Sequence, residues 1–292
     1  MTKICACLMI AALLFCCLFA ACTPKNDVNE ALKDTLKIEI LKIGKADCSI
    51  ITDGTTSIVV DCGEEDDGAE ISAAMDALGI SSIDYLIITH YDKDHIGGAP
   101  TLLKKYKVSK LLEPDYTPVD TTAYAYMSYR NALTEAEANG KCGSAEAVSD
   151  SVDLTVSDIK LNIVGTFGKD YAKNQDNNDS LVVSLEHLGN SFLFAGDIEK
   201  QRIADMLSQG RVQPCDFLKV PHHGSTTSSS LGFLEAVSPE YAIISVGKGN
   251  SYGHPDYDTI QKLKQVNAEI YRTDELGTIN IVFSADDIKI TY

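Results

Sequence analysis

Two imidazoles and two carboxylates, His90, Asp92, Asp94 and His95, crowd into one short stretch, Thr89-His90-Tyr91-Asp92-Lys93-Asp94-His95-Ile96-Gly97-Gly98, directly behind the apolar run Ile83 to Ile88. Ionisable groups gathered at the mouth of a buried strand are costly unless a cation neutralises them, so the spacing points to a metal site. In extended backbone, side chains two positions apart share a face. His90 and Asp92 can therefore grip one ion while Asp94 and His95, past the bend, face another. The paired glycines let the backbone turn sharply after the ligands and begin a helix.

The decapeptide resembles the HxHxDH signature of the metallo-β-lactamase superfamily, in the HxDxDHxGG form of the hydrolase domain attached to the bacterial competence channel protein ComEC. Asp92 stands where the broader superfamily has a third histidine, and aspartate is usual in the ComEC-like branch. Further segments carry the same resemblance through residues 35 to 292. Asn177-Asn178-Asp179-Ser180-Leu181-Val182 matches a polar motif of that branch, which implies that Asn177 approaches the metals or the substrate with Ser180 beside it. Gly196-Asp197 follows the strand-like run Ser191 to Ala195 and resembles the motif whose carboxylate bridges two ions; read alone, Asp197 is equally a cap for a helix beginning near Ile198. Pro221-His222-His223-Gly224-Ser225 implies that one histidine completes the coordination, His223 by its place in the motif or else His222, with Ser225 near the substrate. In Gly247 to Pro255, His254 stands as a proton donor to the leaving group or as a ligand. Asp61, closing the run Thr56 to Asp61, is either a support for the metal ligands or a strand-end turn residue.

The resemblance implies an α/β fold, a four-layer αββα sandwich, and a hydrolase working through two divalent metal ions. Imidazole suits zinc, whereas the added carboxylate at Asp92 makes the set more hospitable to manganese. A pair of ions sharing Asp197 and a water would activate that water, and Asp94 with His222 or His254 would serve the chemistry.

Positioning these groups requires strands that end where the ligands begin. Cys48 to Thr52 and Thr56 to Asp61 read as a hairpin across Asp53-Gly54, and Ile159 to Val164 pairs with Val152 to Val156 across Ser157-Asp158. Helical spacing marks Ala69 to Leu78, Ala99 to Tyr106 and Ala123 to Ala138. Tyr116, Tyr124, Tyr126 and Tyr129 cluster in the least legible section, as a substrate lid or as packing for an exposed helix. His187, beside the turn Gly189-Asn190, reads as exposed and idle.

The 292 residues, 45% apolar and 23% charged, suffice for a full core. Residues 1 to 21 differ: Lys3 precedes an apolar run ending in Ala20-Ala21 before Cys22, the pattern of a lipoprotein signal in which Cys22 becomes the acylated first residue, with a retained membrane anchor as the alternative. Residues 22 to 34 read as a tether and 35 to 292 as the hydrolase domain, held outside the cytoplasmic membrane. Cys48, Cys62, Cys142 and Cys215 show no CxxC pair, and the strand-like settings of Cys48, Cys62 and Cys215 suit plain core residues. A formal charge of −17 argues against a long nucleic-acid footprint without excluding a phosphodiester met by the metals. The substrate expected is thus a phosphodiester or related ester, single-stranded DNA by the channel-linked relatives or an envelope polymer by similar secreted domains, with a lactam, lactone or thioester possible within the superfamily. A DNA-uptake channel is a candidate partner. A non-catalytic surface binding protein that assists DNA uptake or holds an envelope polymer is the rival class.

Overall fold

The computed structural model describes residues 35–169, 171 and 175–292. Residues 1 to 34, read above as a leader and a tether, and with them Cys22, lie outside the described residues. Among the described residues, fifteen strands form two sheets. The first contains β1 (Thr35–Ile40), β2 (Ser49–Thr52), β3 (Ser57–Val60), β4 (Ser82–Ile87), β5 (Lys107–Pro114), β6 (Ala145–Val148), β14 (Ile279–Ser284) and β15 (Ile288–Thr291), in the order β15-β14-β1-β2-β3-β4-β5-β6. The second contains β7 (Ser151–Val156), β8 (Ile159–Val164), β9 (Val182–His187), β10 (Asn190–Phe194), β11 (Phe217–Lys219), β12 (Tyr241–Ile244) and β13 (Glu269–Arg272), in the order β13-β12-β11-β10-β9-β8-β7.

Alternation along the strands builds the layers. In β3 to β5, Ile58, Val60, Ile87 and Leu112 enter the core between the sheets, while Val59, Leu86 and Leu111 enter a second core beneath the outer helices. These three strands run parallel to one another and are apolar on both faces, as parallel strands covered by helices must be. Phe192, Phe194 and Phe217 stack from the second sheet onto the same central core, which Phe283 of β14 completes. A third cluster, including Ile203, Phe233 and Leu263, seats helices on the far face of the second sheet. Helix, sheet, sheet and helix give the expected αββα sandwich. The C-terminal strands close the first sheet: β14 returns to pair with β1, and β15 pairs with β14 at the edge.

Both expected hairpins form, and Asp53 stabilises the first by accepting from the backbone N–H of Thr55 at 2.8 Å and Thr56 at 2.6 Å. Cys48, Cys62 and Cys142 are buried and, with Cys215, unpaired. Cys142, which the sequence left without a place, pairs its backbone with Val108. His187 corrects an expectation: it is only 7% exposed, with Nδ1 3.3 Å from the carbonyl of Asp158, because the hairpin folds its ring inward.

Candidate metal centre

The parallel strands β3, β4, β10, β11 and β12 deliver their following residues to one edge of the sandwich: Asp61, the Thr89 to Gly98 stretch, Asp197, His222-His223 and Ser245 to His254. Loops beyond the carboxyl ends of parallel strands are the common place for sites in such sheets. The turn after His95 has a different cause from the one expected. Gly97 and Gly98 have ordinary helical backbone, with φ of −60° and −81°. They must be glycine because a Cβ on Gly98 would lie 2.2 Å from the carbonyl oxygen of Cys62. Close approach, rather than unusual dihedrals, packs the ligand loop onto the end of β3. After β11 the backbone is strained instead: His222, His223 and Gly224 have φ of 50°, 51° and 85°. Two successive side chains in the left-handed region are disfavoured and are retained only where the surroundings enforce them.

Each central histidine is oriented through Nδ1. Thr89 donates from its backbone N–H and its hydroxyl to Asp61, both at 2.8 Å, and Asp61 Oδ2 lies 2.8 Å from His95 Nδ1. The same Thr89 hydroxyl is 3.1 Å from His90 Nδ1, and His223 Nδ1 donates to the carbonyl of Ser245 at 3.1 Å. With Nδ1 engaged, every Nε2 turns inward, the arrangement by which metal-ligating histidines are held. Asp61 therefore supports the ring of His95, and its turn-residue reading is incomplete.

Asp197 stands in the middle. Its Oδ1 is 3.5 Å from His95 Nε2, and its Oδ2 is 3.9 Å from His90 Nε2, 3.7 Å from His223 Nε2 and 3.9 Å from His222 Nε2. Asp92 Oδ2 lies 3.8 Å from His90 Nε2, and Asp94 Oδ2 lies 3.6 Å from His223 Nε2. These gaps are mostly too long for hydrogen bonds, but two ligands each about 2.0–2.2 Å from one ion stand roughly 3–4 Å apart. The Nε2 atoms of His90, His95 and His223 and Oδ1 of Asp197 are buried without a hydrogen-bond partner. Orphaned polar atoms are costly individually, and several aimed at one spot fit a cation. The donors are imidazole nitrogens and carboxylate oxygens, a set suited to divalent transition metals.

Electrostatics divides the histidines. Burial and the neighbouring His95 push His90 down to about 4, so its ring is neutral. Burial opposes charge on His95 and His223 as well, yet Asp197 outweighs it in both, aided by Asp61 and Asp47 respectively, and raises them. Asp197 is correspondingly held well below the usual carboxylate range, against its burial, by His95 and His223. His222 has Nδ1 3.4 Å from Glu199 Oε1, and that carboxylate raises it against partial burial, whereas burial lowers His254.

A cavity of about 360 Å³ opens on the cluster, lined by Asp92, Asp94, Asp197, His222, His223 and His254. His254 faces this space 5.7 Å, ring to ring, from His222. Tyr91, Tyr126 and Tyr252 line it too, together with Asp120, Asp176 and Lys93. The tyrosine-rich section packs as one of its readings expected, with Tyr129 buried and donating to Glu113, while Tyr126 of the helix Tyr124–Ala138 borders the cavity.

Three expected substrate contacts sit elsewhere. Ser180 is fully buried, donates to the carbonyl of Asn177 at 2.7 Å and accepts from the backbone N–H of Asp197 at 3.2 Å, so it props the central carboxylate. Ser225 is buried and bonded to Thr227 at 2.9 Å, and Asn177 interacts with Glu199 rather than bordering the cavity. Nor does Asp197 cap a helix. The helix begins at Lys200, and Asn178 Oδ1 accepts from the N–H groups of Glu199 at 3.0 Å and Arg202 at 3.3 Å, which frees Asp197 to face inward. The sequence reading passed over Asn178, Glu199, Lys219 and Asp47. Asp47, His95, Asp197 and His223 each bring one ligand atom within 4.8 Å of the others. The available signal was Lys219, a charge inside the apolar run before Pro221, which obliges a buried partner.

A sandwich of two mixed sheets with a buried His/Asp cluster beyond its strand ends defines a class of αββα metal-site proteins. The chain belongs to the Metallo-beta-lactamase superfamily, whose pattern matches residues 42–248. It is 35% identical over 204 residues to ComE operon protein 3 of Bacillus subtilis, covering 70% of this chain and 25% of that protein. It is 28% identical over 223 residues to Competence protein ComA of Neisseria gonorrhoeae, covering 75% of this chain and 28% of that one. The chain thus spans about a quarter of the length of these ComEC-like relatives. Among solved structures, the metallo-beta-lactamase fold protein YhfI of Bacillus subtilis superposes with a TM-score of 0.56 at 11% identity, covering 88% of this chain and 100% of that one.

Proposed function

We propose that the protein is a metal-dependent hydrolase of phosphodiester or related ester bonds. The observation that carries this reading is the convergence of buried, unpartnered Nε2 atoms on the single carboxylate of Asp197 beneath an open cavity. His90 and Asp92 would hold one divalent ion and Asp94, His95 and His223 a second, with Asp197 placed to serve either. When bound, a pair of divalent ions supplies the charge that lowers a water's pKa toward neutrality and polarises the oxygen of the scissile bond. The chain's own groups do the rest. Asp61 and Thr89 hold the ligand rings in register, Ser180 holds the backbone of Asp197, and the enclosed cavity fixes the ester against them. Proton delivery to the departing oxygen falls to His222, because Glu199 beside its Nδ1 favours the charged ring, while burial keeps His254 neutral.

The cavity volume suits a headgroup or a single nucleotide. Asp120 and Asp176 at its border and the formal charge of −17 disfavour a long polyanion, so a compact diester is the better substrate; the word competence in a relative's name keeps single-stranded DNA as the second test. The leader and Cys22 support a lipid-anchored location outside the cytoplasmic membrane, where a DNA-uptake channel is a candidate partner. Purified protein loaded with Mn²⁺ or Zn²⁺ is to be offered bis-p-nitrophenyl phosphate, single-stranded DNA and nitrocefin. Cleavage of the diester is expected. Hydrolysis of nitrocefin without any diester cleavage overturns the assignment, and bound ions with no turnover of any of the three favour a binding protein.

A further inference from the structure

We propose that Asp47 is an additional oxygen donor to the second ion and that Lys219 is the internal countercharge holding its carboxylate in place; this rests on the two-ion reading of the cluster. Asp47 lies in the connection between β1 and β2, outside every motif that pointed to the site. Its backbone is fastened on both sides of the centre: its N–H donates to the carbonyl of Asp94 at 3.1 Å, and its carbonyl accepts from the N–H of Gly63 at 2.9 Å. The side chain is buried, and its two oxygens are treated unequally. Oδ2 accepts from Lys219 Nζ at 2.8 Å, whereas Oδ1 is buried with no hydrogen-bond partner. Oδ1 lies 3.7 Å from His223 Nδ1, but that nitrogen already donates to the carbonyl of Ser245. A carboxylate present only to pair with a lysine would have no reason to leave one oxygen idle, since a buried, unsatisfied acceptor costs stability. The idle oxygen belongs with the other orphans, the Nε2 atoms of His95 and His223 and Oδ1 of Asp197, and a ligand atom of Asp47 stands within 4.8 Å of one from each of these residues.

Lys219 completes the argument. A buried ammonium near a dication site repels the ion unless a carboxylate intervenes, and Asp47 is that carboxylate. Adding Asp47 gives the second position more oxygen than nitrogen donors, a composition that favours Mn²⁺ over Zn²⁺.

The test uses the full chain and Mn²⁺ alone. Ions per chain are counted by elemental analysis over buffered Mn²⁺ concentrations, and thermal midpoints are read with and without the ion, for the wild type, His90→Ala, Asp47→Ala, Lys219→Met and the double variant Asp47→Asn/Lys219→Met. The wild type is expected to hold two ions and His90→Ala to lose one. Asp47→Ala is expected to weaken the other by roughly 10–100-fold, comparable with losing a group that shapes a metal site. Lys219→Met lowers the midpoint without Mn²⁺ but leaves binding of the second ion at least as tight. Should Asp47→Ala fold poorly alone, the double variant removes the ion pair as a unit and still shows the weaker second ion. Two ions bound as tightly by the double variant or by Asp47→Ala as by the wild type would refute the role of Asp47 and leave the hydrolase reading standing. A wild type that takes up no Mn²⁺ in this titration, nor Zn²⁺ in a parallel one, removes both.

Discussion

Asp61 never reaches the cavity, yet the site depends on it, because it sets the ring of His95 and, through Thr89, that of His90. Asp61→Asn is expected to lower cation affinity or turnover by roughly 10–100-fold while the fold persists, as measured by metal titration and circular dichroism. His222→Gln should reduce kcat on a diester by about 10²–10⁴-fold with both ions retained, and His254→Gln by much less. Equal loss in the two variants contradicts the assignment of the proton donor. The shifted groups also fix a pH dependence. His95 and His223 are raised, so their contribution to cation-free stability is full below the ordinary histidine value of about 6.5 and declines as pH rises through the raised values. Asp94 and Asp197 are lowered, so theirs is present above about 3.9 and is lost as pH falls through the depressed values. His90, pushed down to about 4, and His254, also lowered, resist protonation in the fold and cost stability as pH falls below about 6.5, so the cation-free protein is expected to be most stable near that pH and to lose stability on both sides of it. Cations displace the histidine protons, so the rise in thermal midpoint on adding Mn²⁺ should grow from pH 5.5 to pH 8, roughly the range over which imidazoles shed protons.

At the scale of elements, the ligand-bearing stretch is held by contact rather than by its own conformational preference. Its helix starts on Gly98, whose N–H donates to the carbonyl of Cys62 at 3.1 Å with no room between them for a side chain. Gly98→Ala must push the loop off β3. A loss of roughly 1–3 kcal/mol in urea unfolding is expected, with a further drop in cation affinity because His95 moves with the loop. A loss of stability with cation affinity unchanged would show that loop and site are independent. The helix Tyr124–Ala138 behaves differently, for one face is anchored by Tyr129 and Arg130 on Glu113, while Tyr126 borders the cavity. Changes at Tyr126 belong to substrate choice, and changes at Tyr129 to stability.

For the whole molecule, the candidate ligands come from both sheets: His90, Asp92, Asp94 and His95 follow strands of the first, Asp197 and His223 strands of the second. Cations bound between them would tie the sheets together. Excess Mn²⁺ at about a hundredfold over Kd should stabilise the fold by about 2.7 kcal/mol, and a chelator should remove that increment and return the thermal midpoint to its cation-free value. An unchanged midpoint would mean that the ions do not bridge the halves.

The local chemistry was legible in the sequence because it is written in short stretches. His90, Asp92, Asp94 and His95 follow an apolar strand, His222 and His223 follow another, and the period-two runs reveal the strands that carry them. What residue types could not decide was which polar groups face inward. Ser180 and Asn178 are neighbours of one kind in the same loop, yet one supports Asp197 and the other caps a helix. Asp47 carried no motif, and its nearness to His223 arises only when the connection after β1 folds across the end of β11. Strand periodicity fixes which face a residue occupies, but the meeting of two sheets at one edge is a long-range event, and that meeting alone turned scattered carboxylates into a single centre.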